Sequence, residues 1–127
     1  MIVLDTHALI WLASDPRKLS ARARRAIEGA ESLGVAVITC FEIALLVERK
    51  RLRFDREVAV WLRQVLSLPR VELLALDLET SVLAAQLDWD HRDPADRMIV
   101  ASAARRRAGI VTKDEAIRAC PHATSIW

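Results

Sequence analysis

The chain has 127 residues, 53% of them hydrophobic and 28% charged, with 19 Lys and Arg against 17 Asp and Glu for a formal charge of +2. That is one domain with enough apolar residues for a core, which excludes disordered and fibrous classes. The near-neutral balance argues against a dedicated duplex-binding module and suits a metal enzyme with acids in its cleft and bases around it.

Met1 to Leu4 is an apolar run of strand type, and Thr6 to Ala13 reads as a helix ending near Asp15-Pro16. Ser20 is a good N-cap for a helix from Ala21 to about Ala30. Gly34 breaks the chain, Val35 to Ile38 reads as a buried strand, and Thr39 opens an almost wholly apolar helix through Val47. Asp55 can cap an amphipathic helix reaching about Leu66. Val71 to Leu76 is a strand candidate after the turn at Pro69, and Glu79 to Leu87 is helical. Asp93-Pro94 opens a strong helix to about Ala108, with Gly109 as its stop. Ile110-Val111 is a short strand core, Asp114 to Ala119 a short helix, and Ala123 to Trp127 a possible edge strand.

Strands alternating with helices predict an α/β fold of three layers, with four to five short, mainly parallel strands flanked by helices. No linker or repeat divides residues 1–127, so a single domain is expected. Right-handed crossovers bring strand C-termini and helix N-termini to one sheet edge, where ligands sit at the switch point of the strand order. Cys40 and Cys120 have no zinc spacing and read as buried thiols in a reducing cytosol. The N-terminus lacks the features of a signal peptide, and no apolar stretch reaches the length of a membrane span.

Four acids fall on the expected edge. Asp5 directly follows the first strand, where turn formation is an equal explanation. Glu42 stands three residues after Thr39, the spacing of a capping box, yet its helix is apolar on most sides. Asp93 is explained as a helix cap. Asp96 is not, because it shares a helical face with Ile99, Val100 and Ala103. Asp114 follows the strand Ile110-Val111-Thr112, and a second capping box between Thr112 and Glu115 would leave it free. Carboxylates gathered at one edge repel, so a pKa must rise or a cation must bind. Oxygen ligands without Cys or His favour Mg²⁺ or Mn²⁺, and such a site suits phosphodiester hydrolysis.

Thr6 and Thr112 can hydrogen-bond the acids or a scissile phosphate, with local capping as the alternative. Arg97, beside Asp96, can meet a phosphate backbone or pair with an acid. His7 is not read as a ligand, and His91 reads as loop surface. The basic runs Arg49–Arg53 and Arg105–Arg107 fall at helix C-termini, where the helix dipole already favours cations.

With these residues in view, the chain resembles the PIN-domain family, in particular the VapC-like toxins of toxin–antitoxin modules. The matching pieces are LDTHALIW at Leu4–Trp11, TCFEIALL around Glu42, HRDPADRMIVASA at His91–Ala103 and VTKDEAI at Val111–Ile117. The resemblance implies that Asp5, Glu42, Asp96 and Asp114 are the metal-binding and catalytic acids. Asp5 and Asp96 would be direct Mg²⁺ ligands, with Mn²⁺ as an alternative ion. Glu42 would complete the site or hold a water, and Asp114 would act on a second metal or through the outer shell. It also implies an endoribonuclease, usually homodimeric and held inactive by a small antitoxin protein, and the free thiols and the N-terminus lead us to expect it in the cytoplasm. Two alternatives are a receiver-like Mg²⁺-binding signalling module and a non-catalytic PIN-fold binding protein.

Overall fold

A computed structural model describes residues 1–127. Five strands, β1 (Ile2–Leu4), β2 (Leu33–Ala36), β3 (Val71–Leu74), β4 (Gly109–Val111) and β5 (Ser125–Ile126), form one sheet of order β3-β2-β1-β4-β5. Every pairing is parallel, with Leu4 opposite Val35 on one side and Val111 on the other. Seven helices complete the fold: α1 (Thr6–Ser14), α2 (Ala21–Gly29), α3 (Val37–Glu48), α4 (Val58–Leu66), α5 (Leu78–Gln86), α6 (Pro94–Arg105) and α7 (Glu115–Arg118). None is long and apolar enough to cross a membrane.

Alternation along the strands explains the three layers, since successive side chains point to opposite faces. Leu4, Val35 and Val111 pack with Leu9, Ile27, Trp61 and Val65, so α1, α2 and α4 cover one face. Val3, Leu74 and Ile110 pack with Ile99, Val100, Ala103 and Ile117, so α6 and α7 cover the other. A parallel sheet is buried on both sides, and its strands therefore read as apolar runs.

The local boundaries correct several sequence expectations. Gly34 lies inside β2 and does not break the chain. A Cβ there would stand 2.9 Å from Leu74 Cδ1 and 3.0 Å from Met1 Sδ, so glycine permits the close packing over the sheet. β2 ends at Ala36 and α3 starts at Val37, so Val37, Ile38 and Thr39 are already helical. Thr39 is no cap: Ala36 is the N-cap residue, with no side-chain bond. Asp55 does not cap α4, which starts after Glu57, and it binds Arg56 instead. Gly109 does not stop α6. The helix ends at Arg105, Arg107 takes the left-handed conformation at φ 52°, and Gly109 opens β4.

The receiver-like alternative conflicts with the strand order. Flavodoxin-like receivers run 2-1-3-4-5. Here the chain moves outward from β1 through β2 to β3, then crosses back to β4 on the other side of β1. The switch point thus lies between β1 and β4. Asp5 and Asp114 follow those two strands.

Candidate metal centre

One cavity of about 210 Å³ opens at that switch point, and Asp5, Glu42, Asp93, Asp96 and Asp114 line it. The four acids singled out in the sequence therefore meet, and Asp93 joins them. His91, Asp93 and Asp96 each offer a ligand atom, all within 4.8 Å of one another.

Asp5 is 4% exposed. It is the N-cap of α1, with Oδ1 accepting from the Ala8 N–H at 2.7 Å. Its Oδ2 accepts from the Thr112 hydroxyl. Asp5 is thus a helix cap, as a strand-ending acid often is, and at the same time lines the cavity. Glu42 lies on the second turn of α3, and its Oε1 accepts from Thr6 Oγ1 at 2.5 Å. The capping box with Thr39 does not form; instead Thr39 is fully buried and its hydroxyl has no partner.

Asp96 lies in the first turn of α6, behind the cap that Asp93 provides through Oδ1 to the Ala95 N–H at 2.9 Å. Asp114 is not left free by a box between Thr112 and Glu115. It caps α7 itself, accepting from the Ile117 N–H at 2.9 Å, while its own N–H donates to Thr112 Oγ1 at 3.0 Å.

Thr112 therefore ties β1 to β4: it donates to Asp5 and accepts from Asp114. Both candidate substrate-orienting hydroxyls, Thr6 and Thr112, spend their hydrogens on acids and so orient the carboxylates rather than a phosphate. Arg97 departs further from expectation. Its guanidinium donates to five carbonyls, those of Ala84, Ala85, Leu87, Trp89 and His91, at 2.6–3.3 Å. It pairs with no acid, and its donors are committed to the end of α5 and the loop into α6 rather than to a substrate.

Burial pushes the Asp5 carboxyl above its ordinary value, against the Thr112 and Ala8 hydrogen bonds that lower it. Burial also raises Glu42, against Thr6, with Asp96, Asp93 and Asp5 adding repulsion. Asp96 is raised by burial too, against the His91 hydrogen bond, with Asp93 and Asp114 adding repulsion. No Lys or Arg pairs with any acid of the cavity; the one side chain at ion-pair distance from them is the His91 imidazole, beside Asp96. Two residues of the basic run at the C-terminus of α6 are occupied elsewhere, Arg105 with Asp77 and Arg106 with Glu72.

His91 escaped the sequence reading, which placed it on the loop surface. Its Nε2 lies 2.6 Å from Asp96 Oδ2. The available signal was the Asp93-Pro94 helix start, which reverses the chain so that a residue just before the cap can face the first turn.

Residues 2–122 match the family profile described as PIN domain. The chain is 34% identical over 128 residues to Ribonuclease VapC22 of Mycobacterium tuberculosis, covering 99% of this chain and 98% of that one. Two solved structures share the fold. VapBC2 from Rickettsia felis bound to a DNA fragment from their promoter superposes with a TM-score of 0.71 at 15% identity, covering 98% of this chain and 97% of that chain. DNA-bound VapBC from Salmonella typhimurium gives 0.71 at 19% identity, with the same coverage of 98% and 97%. The match along nearly the whole sequence and the shared architecture agree: the chain belongs to the PIN-domain family and is VapC-like within it.

Proposed function

We propose that this chain is a divalent-metal-dependent endoribonuclease, the toxin of a toxin–antitoxin module. One observation carries the reading: five carboxylates line a single cavity at the sheet's switch point, and none has a Lys or Arg partner. Three are held above their ordinary pKa, chiefly by burial. Such a group of hard oxygen donors lacks only a cation for its charge balance, and Mg²⁺ or Mn²⁺ suits it. Asp5 and Asp96 hold the ion in this reading, with Glu42 and Asp114 completing the site through water or a second ion. A bound divalent cation supplies charge neutralisation on the scissile phosphate and a more acidic water.

The chain's own residues set the geometry. Thr112 and the Ala8 N–H fix Asp5, and Thr6 fixes Glu42 by Oε1. No hydrogen bond reaches Glu42 Oε2, and that oxygen is assigned to orient the attacking water and accept its proton. The raised Glu42 pKa suits a proton acceptor. RNA as substrate is supported by the relative named a ribonuclease, and an antitoxin partner by the toxin–antitoxin complexes among the fold neighbours. A homodimer in the cytoplasm completes the proposal.

The test compares purified wild-type, Asp5→Asn and Asp96→Asn proteins on cellular RNA, with Mg²⁺ and with chelator, by sequencing the new RNA ends. Cleavage by the wild type alone, abolished by chelator, is expected. Cleavage retained in either variant would overturn the site assignment.

A further inference from the structure

The acids of the cavity are each held by a donor, and in four cases that donor is a helix N–H or a threonine hydroxyl. Asp96 differs. Its holder is a side chain from the loop ahead of α6, His91. An ionised Asp96, the form that binds a cation, can only accept, so beside it Nε2 carries the hydrogen, as it can in neutral or charged imidazole.

His91 is itself built in place. Its ring packs on Trp89 with centroids 4.8 Å apart. Arg97 Nη1 donates to both the Trp89 carbonyl at 2.8 Å and the His91 carbonyl at 2.9 Å. A loop histidine that served only solubility would need neither contact. The result is asymmetric: Asp96 Oδ2 is held, while no hydrogen bond reaches Oδ1.

We propose that His91 is a positioning residue that sets the cation preference of the cavity, by holding Asp96 Oδ2 and leaving Oδ1 as the single metal-binding oxygen of that acid. The inference rests on the metal-dependent reading above. Mg²⁺ wants about six oxygens in a tight octahedron and uses carboxylates one oxygen at a time. Ca²⁺ takes about six to eight at longer distance and accepts both oxygens of a carboxylate. Holding Oδ2 denies the larger ion its chelate and costs the smaller one nothing. Donors around a ligating carboxylate commonly tune a metal site in this manner.

The experiment uses the full chain and Mn²⁺ alone as probe, with free Mn²⁺ read by electron paramagnetic resonance and displaced by Mg²⁺ or Ca²⁺. His91→Phe keeps a ring against Trp89 and removes the donor. His91→Asn also removes it, because its amide falls short of Asp96, and it serves where the phenylalanine variant does not fold. His91→Gln restores a donor near Nε2.

The wild type should release Mn²⁺ to Mg²⁺ more readily than to Ca²⁺. In the Phe and Asn variants the ratio of the two competition constants should move toward Ca²⁺ by about tenfold. The Gln variant should return it. An unmoved ratio in the Phe or Asn variant overturns the proposal, as does a Gln variant that behaves like Phe. Asp96→Asn separates the layers. If it binds Mn²⁺ as the wild type does, the metal reading itself fails. If it loses Mn²⁺ while the ratio stays unmoved in the His91 variants, only the role of His91 fails.

Discussion

Thr112 donates its hydroxyl hydrogen to Asp5 although 107 residues separate them, and so joins the ends of β4 and β1 at the switch point. The same oxygen accepts the Asp114 N–H. Thr112→Val should therefore release two acids at once. We expect a loss of about 10–100-fold in RNA cleavage, the usual scale for a partner behind a metal ligand. The orphaned Asp114 N–H should cost about 1–3 kcal/mol of stability. Because the Thr112 bond lowers the Asp5 pKa, its removal should raise that pKa further and shift the acid limb of the pH–rate profile to higher pH. A profile that falls in height without moving would contradict this role.

The raised acids also predict how the metal-free chain responds to pH. Asp5, Glu42 and Asp96 hold their protons more tightly folded than unfolded. Folding then takes up protons between the ordinary carboxylate value of about 4 and the raised value. Stability must fall as pH rises through that window and stay lower above it. Glu42→Gln removes one such group yet keeps an acceptor for Thr6. In chelator at neutral pH it should melt a few degrees above the wild type, and below the window the gap should close. Saturating Mg²⁺ should reverse the order, since a ligand at about 100 times its Kd adds about 2.7 kcal/mol to the protein that binds it. Thermal melts at two pH values, with and without Mg²⁺, decide the matter.

Asp5, Asp96 and Asp114 were legible in the sequence because each stands where a strand ends or a helix begins, and parallel topology sends all such positions to one edge, while Glu42 lies one turn further along α3. Asp96 stood out further, as a charge on an apolar stripe. The partners were less legible. His91 reaches Asp96 only through the chain reversal at Asp93-Pro94 and the grip of Arg97, and neither leaves a periodic pattern. Thr39 misled because β2 and α3 abut without a loop. The apolar run Val35–Ile38 crosses that junction, and periodicity cannot divide a short apolar run between strand and helix. The Thr39-x-x-Glu42 spacing then looks like a capping box, three residues after the true N-cap at Ala36.

Arg97 offers a stability test with a functional echo. Its five hydrogen bonds gather carbonyls at the end of α5 and in the loop after it, and so fix the loop that carries His91 and Asp93. A lysine has the charge but not the planar fork. Arg97→Lys should cost about 2–4 kcal/mol in urea unfolding, the loss of more than one hydrogen bond to a charged donor. Cleavage should fall mainly in kcat, because the loosened loop disturbs Asp96 through His91 rather than a substrate contact. A variant with unchanged kcat and a raised KM would instead return Arg97 to a role in holding RNA.

Thr39 supplies the reverse case, a polar group whose removal should help. It is fully buried on α3 and its hydroxyl meets no acceptor or donor. A buried hydroxyl without a partner forfeits its hydration and gains nothing in return. Valine has nearly the same shape and a similar helix propensity, so the substitution leaves the packing in place. Thr39→Val should therefore stabilise the chain by about 1 kcal/mol, or at the least leave it unharmed. Cleavage should be unchanged, because Glu42 takes its hydrogen bond from Thr6 and not from Thr39. Urea melts and RNA assays on the same preparation check both halves. A destabilised Thr39→Val would mean that the hydroxyl finds a partner in solution. A stable but inactive variant would place that partner in the water structure of the acidic cavity.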